Sequence, residues 1–262
     1  MGYWQERSIP YKPGQKAPFK VSRSKIELFT QCPRCFWLDL RLKIKRPDGP
    51  PFQINKAIDE LLKKEFDAYR LKQEPHPLMV DNQIKAIPYA HTDLEKWRHT
   101  FTGIQFIHEP TNLLVFGAVD DLWVNDDGEI IVVDYKATAK DKEVTLDAGW
   151  QMGFKRQLEV YQWLLRAIGL KVANTGYFVY ANGRMDLDGF YNKVEFRTKV
   201  IPYTGSDAWV EPTIHEMKQC MDGDMPEMGK SAMGGDCDFC TYAKSRTMLT
   251  LEALKSRKRA TA

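Results

Sequence analysis

Long apolar runs are absent from this chain of 262 residues, and none approaches the roughly 18 to 20 residues that a membrane-spanning helix needs. The first residues, MGYWQERSIPYK, also lack the apolar core of a secretory signal. We therefore expect a cytoplasmic protein that does not use a membrane as a partner.

The chain has no strong excess of one charge, since 38 Lys and Arg residues accompany 35 Asp and Glu residues and leave a net charge of +3. This balance permits a polyanionic partner without requiring one. A hydrophobic content of 43% and an aromatic content of 12% exclude a disordered or collagen-like chain. The length is sufficient to bury a core without help from disulfides.

Cysteine is scarce, yet four of the five cysteines form two Cys-x-x-Cys pairs, Cys32 with Cys35 and Cys237 with Cys240, which leaves Cys220 over. In a cytosolic chain this spacing favours metal ligation over disulfides. Four thiolates suit either a tetrahedral zinc ion or a 4Fe-4S cluster, and the spacing does not separate the two. The alternative is that these are buried free cysteines.

The periodicity predicts an irregular N-terminal arm at residues 1–20, followed by one domain at residues 21–262. Helices are expected from Ser24, over Asn55–Leu71 and over Phe154–Ile168, with strands between Gly103 and Ala139. The strand segments, among them LLVFGAVDDLWV and EIIVVDYKAT, are apolar on both faces, so the sheet should be covered on two sides. The order of elements is mixed α/β without a repeated βα unit.

The segment GAVDDLWVNDDGEIIVVDYK carries the most chemical information. If its NDDG forms a three-residue hairpin loop with Gly128 in the left-handed conformation, Asp120 lies opposite Asp134, and Lys136 points to the same face. Two opposed carboxylates can share a divalent cation. A tighter two-residue turn would select Asp121 instead. The alternative is an exposed sheet edge with a structural salt bridge.

Several motifs in sequence order resemble the PD-(D/E)XK nucleases, and specifically their RecB/AddB-like branch, which includes the CRISPR adaptation nucleases with an iron–sulfur cluster. These motifs are QCPRCFW, GAVD, VVDYK, QLEVY and the C-terminal segment that ends in CDFCTYAK. The resemblance implies a restriction-endonuclease-like core, in which helices flank a mixed central sheet. It further implies that a four-cysteine metal site joins the N- and C-terminal segments.

The resemblance also implies roles for individual residues. Asp120, Asp134 and the backbone carbonyl of Tyr135 would bind Mg²⁺ or Mn²⁺, and Lys136 would orient or stabilise the attacking water and the developing charge. Gln157 and Tyr161, four apart on a helix, would reach the site or the nucleic-acid backbone.

Two features depart from the family pattern. Asp59 stands where the branch usually has a metal-binding histidine, and the hypothesis is that this aspartate replaces it as a ligand. The alternative is that Asp59 is an acidic residue in the first turn of a helix, where the helix dipole favours negative charge. The branch commonly has one early and three late cysteines, whereas here Cys35 would supply the fourth thiolate. The resemblance favours a 4Fe-4S cluster, and zinc stays open.

The resulting expectation is a metal-dependent deoxyribonuclease that acts from DNA ends or on single strands, in DNA repair, recombination, or phage or CRISPR-type processing. A recombination or helicase protein is an expected partner. The rival is a nucleic-acid-binding subunit that keeps the fold and the cysteines but does not cut. A weaker third reading is a zinc-stabilised structural protein with no role on nucleic acids.

Overall fold

The computed structural model describes residues 9–49, 52–230 and 234–260. The helices in these ranges are α1 (Arg23–Gln31), α2 (Pro33–Leu42), α3 (Gln53–Lys72), α4 (Pro77–Asp81), α5 (Leu94–Arg98), α6 (Met152–Ala167), α7 (Val210–Asp222) and α8 (Asp238–Ala260). The strands are β1 (Phe19–Ser22), β2 (Ala86–Pro88), β3 (Ile104–His108), β4 (Leu113–Gly117), β5 (Asp121–Asn125), β6 (Ile130–Thr138), β7 (Thr175–Gly183) and β8 (Phe196–Thr204). Within these ranges no helix has the length and apolar content to cross a membrane.

The strands form two mixed sheets. The larger has the order β2-β5-β6-β7-β8, in which β6 and β7 run parallel and the other neighbours antiparallel. The smaller has the order β1-β4-β3, with β1 parallel to β4. Helices flank both sheets, which confirms the predicted α/β class with a mixed sheet between helices.

Alternate residues of β6 enter two different apolar cores on opposite faces of the larger sheet. Ile130 and Val132 pack in the core that α6 and α7 cover, whereas Ile131 and Val133 pack in the core that contains Leu62 and Phe66 of α3. The expectation that the sheet is covered on two sides is confirmed. The alternation also decides which polar side chains of the strand share a face.

The apolar segment LLVFGAVDDLWV is not one continuous strand, as its composition suggested. It divides into β4 of the smaller sheet and β5 of the larger one, with residues 118–120 between them. Gly117 is the last residue of β4, and the position requires glycine because a Cβ atom there would lie 2.7 Å from the ring of Tyr161. Continuous hydrophobicity cannot reveal this break, since both halves are buried.

Part of the predicted N-terminal arm packs on the domain, although residues 9–18 contain no helix or strand. Residues 1–8 lie outside the described ranges, but Tyr11 is buried and donates a hydrogen bond from its hydroxyl to Asp222 Oδ1 at 2.6 Å. Strand β1 begins at Phe19, two residues inside the predicted arm. The helix expected from Ser24 divides at Cys32, where Pro33 begins α2.

Candidate active site

The hairpin between β5 and β6 has the predicted three-residue loop. Gly128 adopts a φ of +72°, its N–H donates to the Asn125 carbonyl at 3.0 Å, and the Asn125 N–H donates to the Glu129 carbonyl at 3.1 Å. The ladder pairs Asp121 with Val133, so the same register continued by one residue sets Asp120 opposite Asp134. The turn prediction is confirmed, and the tighter turn that would have selected Asp121 is excluded.

Asp134 and Lys136 lie on the face of the larger sheet that α6 covers. The Lys136 ammonium forms an ion pair with Asp134 and lies 4.8 Å from the centre of the Phe154 ring on α6. Asp120 accepts a hydrogen bond from the Tyr135 N–H at 2.9 Å, which fixes its carboxylate beside β6. The structure therefore brings Asp120, Asp134 and Lys136 together at one end of the hairpin.

The Asp134 carboxyl is fully buried, and this burial raises its pKa to about 7. The Lys136 charge opposes the rise, and the Asp120 charge adds to it. Burial also disfavours a charged Lys136, but Asp134 and Asp120 outweigh it and raise the lysine pKa above its ordinary value. The pair is an ionic centre within an otherwise apolar face.

Three buried carboxylate oxygens lack hydrogen-bond partners among the described residues. They are Oδ1 and Oδ2 of Asp134 and Oδ1 of Asp59, and of these Oδ2 of Asp134 forms the ion pair with Lys136. Asp59, on α3, forms a salt bridge to Lys63 at 2.7 Å, and burial followed by repulsion from Asp120 raises its pKa. Unpartnered buried oxygens are costly, and a hard divalent cation would satisfy them, so the donor set fits Mg²⁺ or Mn²⁺.

Gln157 and Tyr161 project from α6 toward the same site. Gln157 Nε2 donates a hydrogen bond to the Tyr161 hydroxyl at 3.2 Å. Tyr161 is buried, and its burial, with the nearby charges of Asp120 and Asp134, raises the phenol pKa. The hydroxyl is therefore neutral and lies within the electrostatic reach of both carboxylates. The Tyr135 carbonyl belongs to the strand residue between Asp134 and Lys136, and its role as a ligand stays a prediction.

Sequence reasoning missed Arg23, the first residue of α1. Its charge opposes the rise that burial causes in the pKa of both Asp134 and Tyr161, and its Nε is buried without a hydrogen-bond partner. Arg23 lines a cavity of about 700 Å³ together with Gln157 and the half-exposed Trp150. No local motif marks Arg23, because it comes to the site only through the packing of α1 against α6.

Asp121 points to the opposite face from Asp120, into a buried ionic network. It forms ion pairs with Arg70 and with Arg98, the latter at 2.6 Å, and accepts a hydrogen bond from the Tyr135 hydroxyl at 2.7 Å. Burial disfavours the charge on Arg98, but Asp121 outweighs it and raises the pKa of the guanidinium. This network fastens the hairpin to α3 and α5.

The four paired cysteines form a second site, at a distance along the chain from the carboxylates. Three sulfur–sulfur distances are 3.7 Å for Cys32–Cys240, 3.7 Å for Cys35–Cys237 and 3.5 Å for Cys35–Cys240. All four sulfurs lie within 4.8 Å of one another, so this donor set fits a zinc ion or an iron–sulfur cluster. Cys220 lies elsewhere, in α7.

Backbone N–H groups stabilise the thiolate form of Cys32. The Gly229 N–H donates to its sulfur at 3.1 Å and the Cys35 N–H at 3.4 Å. Burial opposes ionisation, but these donors outweigh it and lower the pKa of Cys32 to about 7. The Arg46 guanidinium, whose Nη2 lies 3.5 Å from the Cys237 sulfur, adds positive charge to the cluster.

The α/β core thus holds paired acidic residues and a lysine across a β-hairpin, an arrangement that can bind a divalent cation. The model of the PD-(D/E)XK nuclease superfamily matches residues 51–245. The chain belongs to this superfamily, whose members are metal-dependent nucleases. The matched range contains the hairpin, α6 and the second cysteine pair, and it begins after the first pair.

Other comparisons add little beyond this membership. Nine chains of solved structures match, and one of them is described as the crystal structure of SSO0001. It is 15% identical, with a TM-score of 0.35, and the similarity covers 78% of each chain. A comparison with curated proteins finds no match.

Proposed function

We propose that the protein is a deoxyribonuclease that uses Mg²⁺ or Mn²⁺ bound by Asp120 and Asp134, with Asp59 and the Tyr135 carbonyl as further ligands. The observation that carries the proposal is the fully buried Asp134, which has one oxygen against Lys136 and the other without a hydrogen-bond partner. When bound, such a cation supplies a hydroxide-like nucleophile and neutralises phosphate charge.

The chain's own residues then act on the phosphodiester. Lys136 places a fixed positive charge beside Asp134, where it holds the attacking water and balances charge that develops on the phosphate. Arg23 lines the adjoining cavity, where its guanidinium group donates to a phosphate oxygen. Gln157 and Tyr161 form a hydrogen-bonded pair that holds the substrate backbone against α6.

The cavity beside the site supports a preference for a single strand or a DNA end. The ring of Trp150 is 53% exposed and lines this cavity with Arg23 and Lys230. An exposed indole offers a surface on which an unpaired base stacks, whereas bases within a duplex are already stacked. Trp97 is buried, so it does not serve as a base-stacking surface. Exonuclease-like action, and a role in repair, recombination, or phage or CRISPR-type processing, are parts of the proposal that rest on the resemblance alone.

The test is an incubation of the protein with end-labelled single-stranded and double-stranded DNA in Mg²⁺, Mn²⁺ or EDTA. We expect cleavage with either metal, none with EDTA, and a loss of at least about 100-fold in the Lys136→Ala variant. Lys193→Ala is the matched control, since Lys193 is an exposed lysine that pairs with Glu195 at 2.8 Å. Cleavage that persists unchanged in Lys136→Ala refutes the assignment.

The second candidate is a nucleic-acid-binding subunit without nuclease activity. One observation favours it: Oδ2 of Asp59, at the position where the branch usually has a histidine, is already paired with Lys63. Binding of labelled DNA without cleavage in either metal, also in a Lys63→Ala variant that frees Asp59, would establish this candidate. A recombination or helicase partner protein stays an expectation from the resemblance.

The occupant of the cysteine site has two candidates, each supported by one observation. The resemblance favours a 4Fe-4S cluster. The sulfur separations of 3.5–3.7 Å favour zinc, because tetrahedral Zn–S bonds of ~2.3 Å set the sulfurs ~3.8 Å apart. A cluster binds each cysteine to a different iron and would need the two pairs to move apart. A broad absorption shoulder in anaerobically purified protein would identify the cluster, and a colourless protein containing zinc would exclude it.

A further inference from the structure

A second group of metal-ligating side chains lies where β3 meets α7. His108 ends β3, and Glu211 and His215 occupy successive turns of α7. One ligand atom from each lies within 4.8 Å of the other two. His108 is buried, whereas the other two side chains are each 48% exposed, so the group opens to solvent on one side.

Two contacts orient the imidazole ring of His108. Its Nδ1 lies 2.7 Å from the Thr111 hydroxyl oxygen, which also lies 3.4 Å from the His108 carbonyl oxygen. Its Nε2 faces Glu211 Oε1 at 2.6 Å. The contact with Thr111 therefore holds the ring with Nε2 directed at the carboxylate.

A proton on Nε2 would satisfy this pair alone, but a third donor converges on the same point. His215 Nε2 lies 3.8 Å from the same oxygen of Glu211, and its ring meets the His108 ring edge to face with centroids 5.1 Å apart. A proton shared between His108 and Glu211 would not require the His215 imidazole as a further ligand. Two imidazoles and a carboxylate form a donor set typical of zinc. The His108 imidazole is also oriented by the Thr111 hydroxyl at Nδ1, as ligating histidines commonly are.

We propose that His108, Glu211 and His215 bind a Zn²⁺ ion that is separate from the carboxylate and cysteine sites. Tetrahedral bonds of ~2.05 Å set ligand atoms ~3.3 Å apart, and the half-exposed Glu211 side chain has the freedom to make this adjustment. Imidazole ligands select zinc over the Mg²⁺ that carboxylates prefer. The bound ion leaves its fourth position to solvent and fastens α7 to the end of β3.

The test is a calorimetric titration of the chelator-washed full chain with ZnCl₂, in millimolar Mg²⁺ to occupy the catalytic carboxylates. We expect the wild-type protein to bind one zinc equivalent more than His215→Ala, or to bind that equivalent at least about 100-fold more tightly. His215 is half-exposed, so its removal leaves the fold intact, which equal melting temperatures in chelator would verify. His99→Ala, which removes an exposed histidine outside the proposed ligand group, should titrate like the wild type.

Cobalt substitution identifies the ligands independently of affinity. Co²⁺ at the proposed site gives visible bands that His215→Ala and Glu211→Gln both abolish, without the near-ultraviolet charge transfer that thiolates produce. Identical zinc titrations of the wild type, His215→Ala and Glu211→Gln would overturn the proposal. A cobalt spectrum that contains only bands of thiolate character, unchanged by either substitution, would also overturn it, because all of the bound cobalt would then lie at the cysteines.

Discussion

Replacing Asp134 by asparagine should change how the stability of the metal-free protein depends on pH. Burial raises the pKa of this carboxyl to about 7 in the folded protein, whereas an unfolded aspartate titrates near ~3.9. The folded state therefore holds a proton that the unfolded state has lost between these two values. Stability falls as the pH rises through this window, by up to 1.36 kcal/mol per pH unit.

The size of the effect follows from the two pKa values. Between pH 5 and pH 8 the titration of the Asp134 carboxyl should lower the free energy of unfolding of the wild type by about 2 to 3 kcal/mol. The Asp134→Asn variant has no carboxyl at this position to titrate between pH 5 and pH 8. Its free energy of unfolding, relative to that of the wild type, should therefore rise by this amount from pH 5 to pH 8. The variant also loses the ion pair with Lys136. This loss should shift its free energy of unfolding by the same amount at every pH from 5 to 8, because the charge of Asp120 keeps Lys136 protonated.

The assay is urea unfolding in EDTA at several pH values from 5 to 8, followed by circular dichroism. Asp126→Asn, in the exposed hairpin loop, controls for the loss of an aspartate as such. If the Asp134→Asn and wild-type curves run parallel from pH 5 to pH 8, the carboxyl does not hold a proton in the folded state. The account of Asp134 as a buried, proton-binding ligand would then be wrong.

Three further predictions concern the two metal sites and the buried ionic network. Nuclease activity in limiting Mg²⁺ should fall about tenfold per pH unit below about 7, because the proton on Asp134 competes with the cation, and a pH–rate profile measures this. Arg98→Met should cost about 3 kcal/mol in urea unfolding, since it removes a partner of the buried Asp121, whereas Arg184→Met on the surface should cost almost nothing. Cys35→Ser should release the cysteine-bound metal, lower the melting temperature by several degrees and speed proteolysis after residue 236, as metal analysis, scanning fluorimetry and limited digestion would show.

The hairpin was predictable because its information is local. An Asn-Asp-Asp-Gly turn between alternating strands fixes the loop length, and the loop length fixes the register that sets Asp120 opposite Asp134. The helix spacing of Gln157 and Tyr161 is equally local. The cysteine pairs were predictable as a group, because two equal short spacings at both ends of a chain imply a shared metal.

What the sequence could not reveal depends on tertiary packing. Arg23 reaches the carboxylates only because α1 packs against α6, and no spacing rule connects residues so far apart. His108 and Glu211 likewise meet across more than a hundred residues. The break between β4 and β5 could not be predicted, because the hydrophobicity of a segment indicates that it is buried but not in which sheet it lies.

Adjacent aspartates on opposite faces explain why the buried ionic network matters to the active site. A slip of one residue in the β5–β6 pairing would carry Asp121 toward Lys136 and Asp120 toward the arginines, with almost the same apolar burial. The ion pairs of Asp121 with Arg70 and Arg98, together with its hydrogen bond from the Tyr135 hydroxyl, favour the observed pairing, because a slip would break these three contacts. Their contribution is to the uniqueness of the register more than to stability. Arg98→Met should therefore reduce nuclease activity in conditions where the variant is still fully folded.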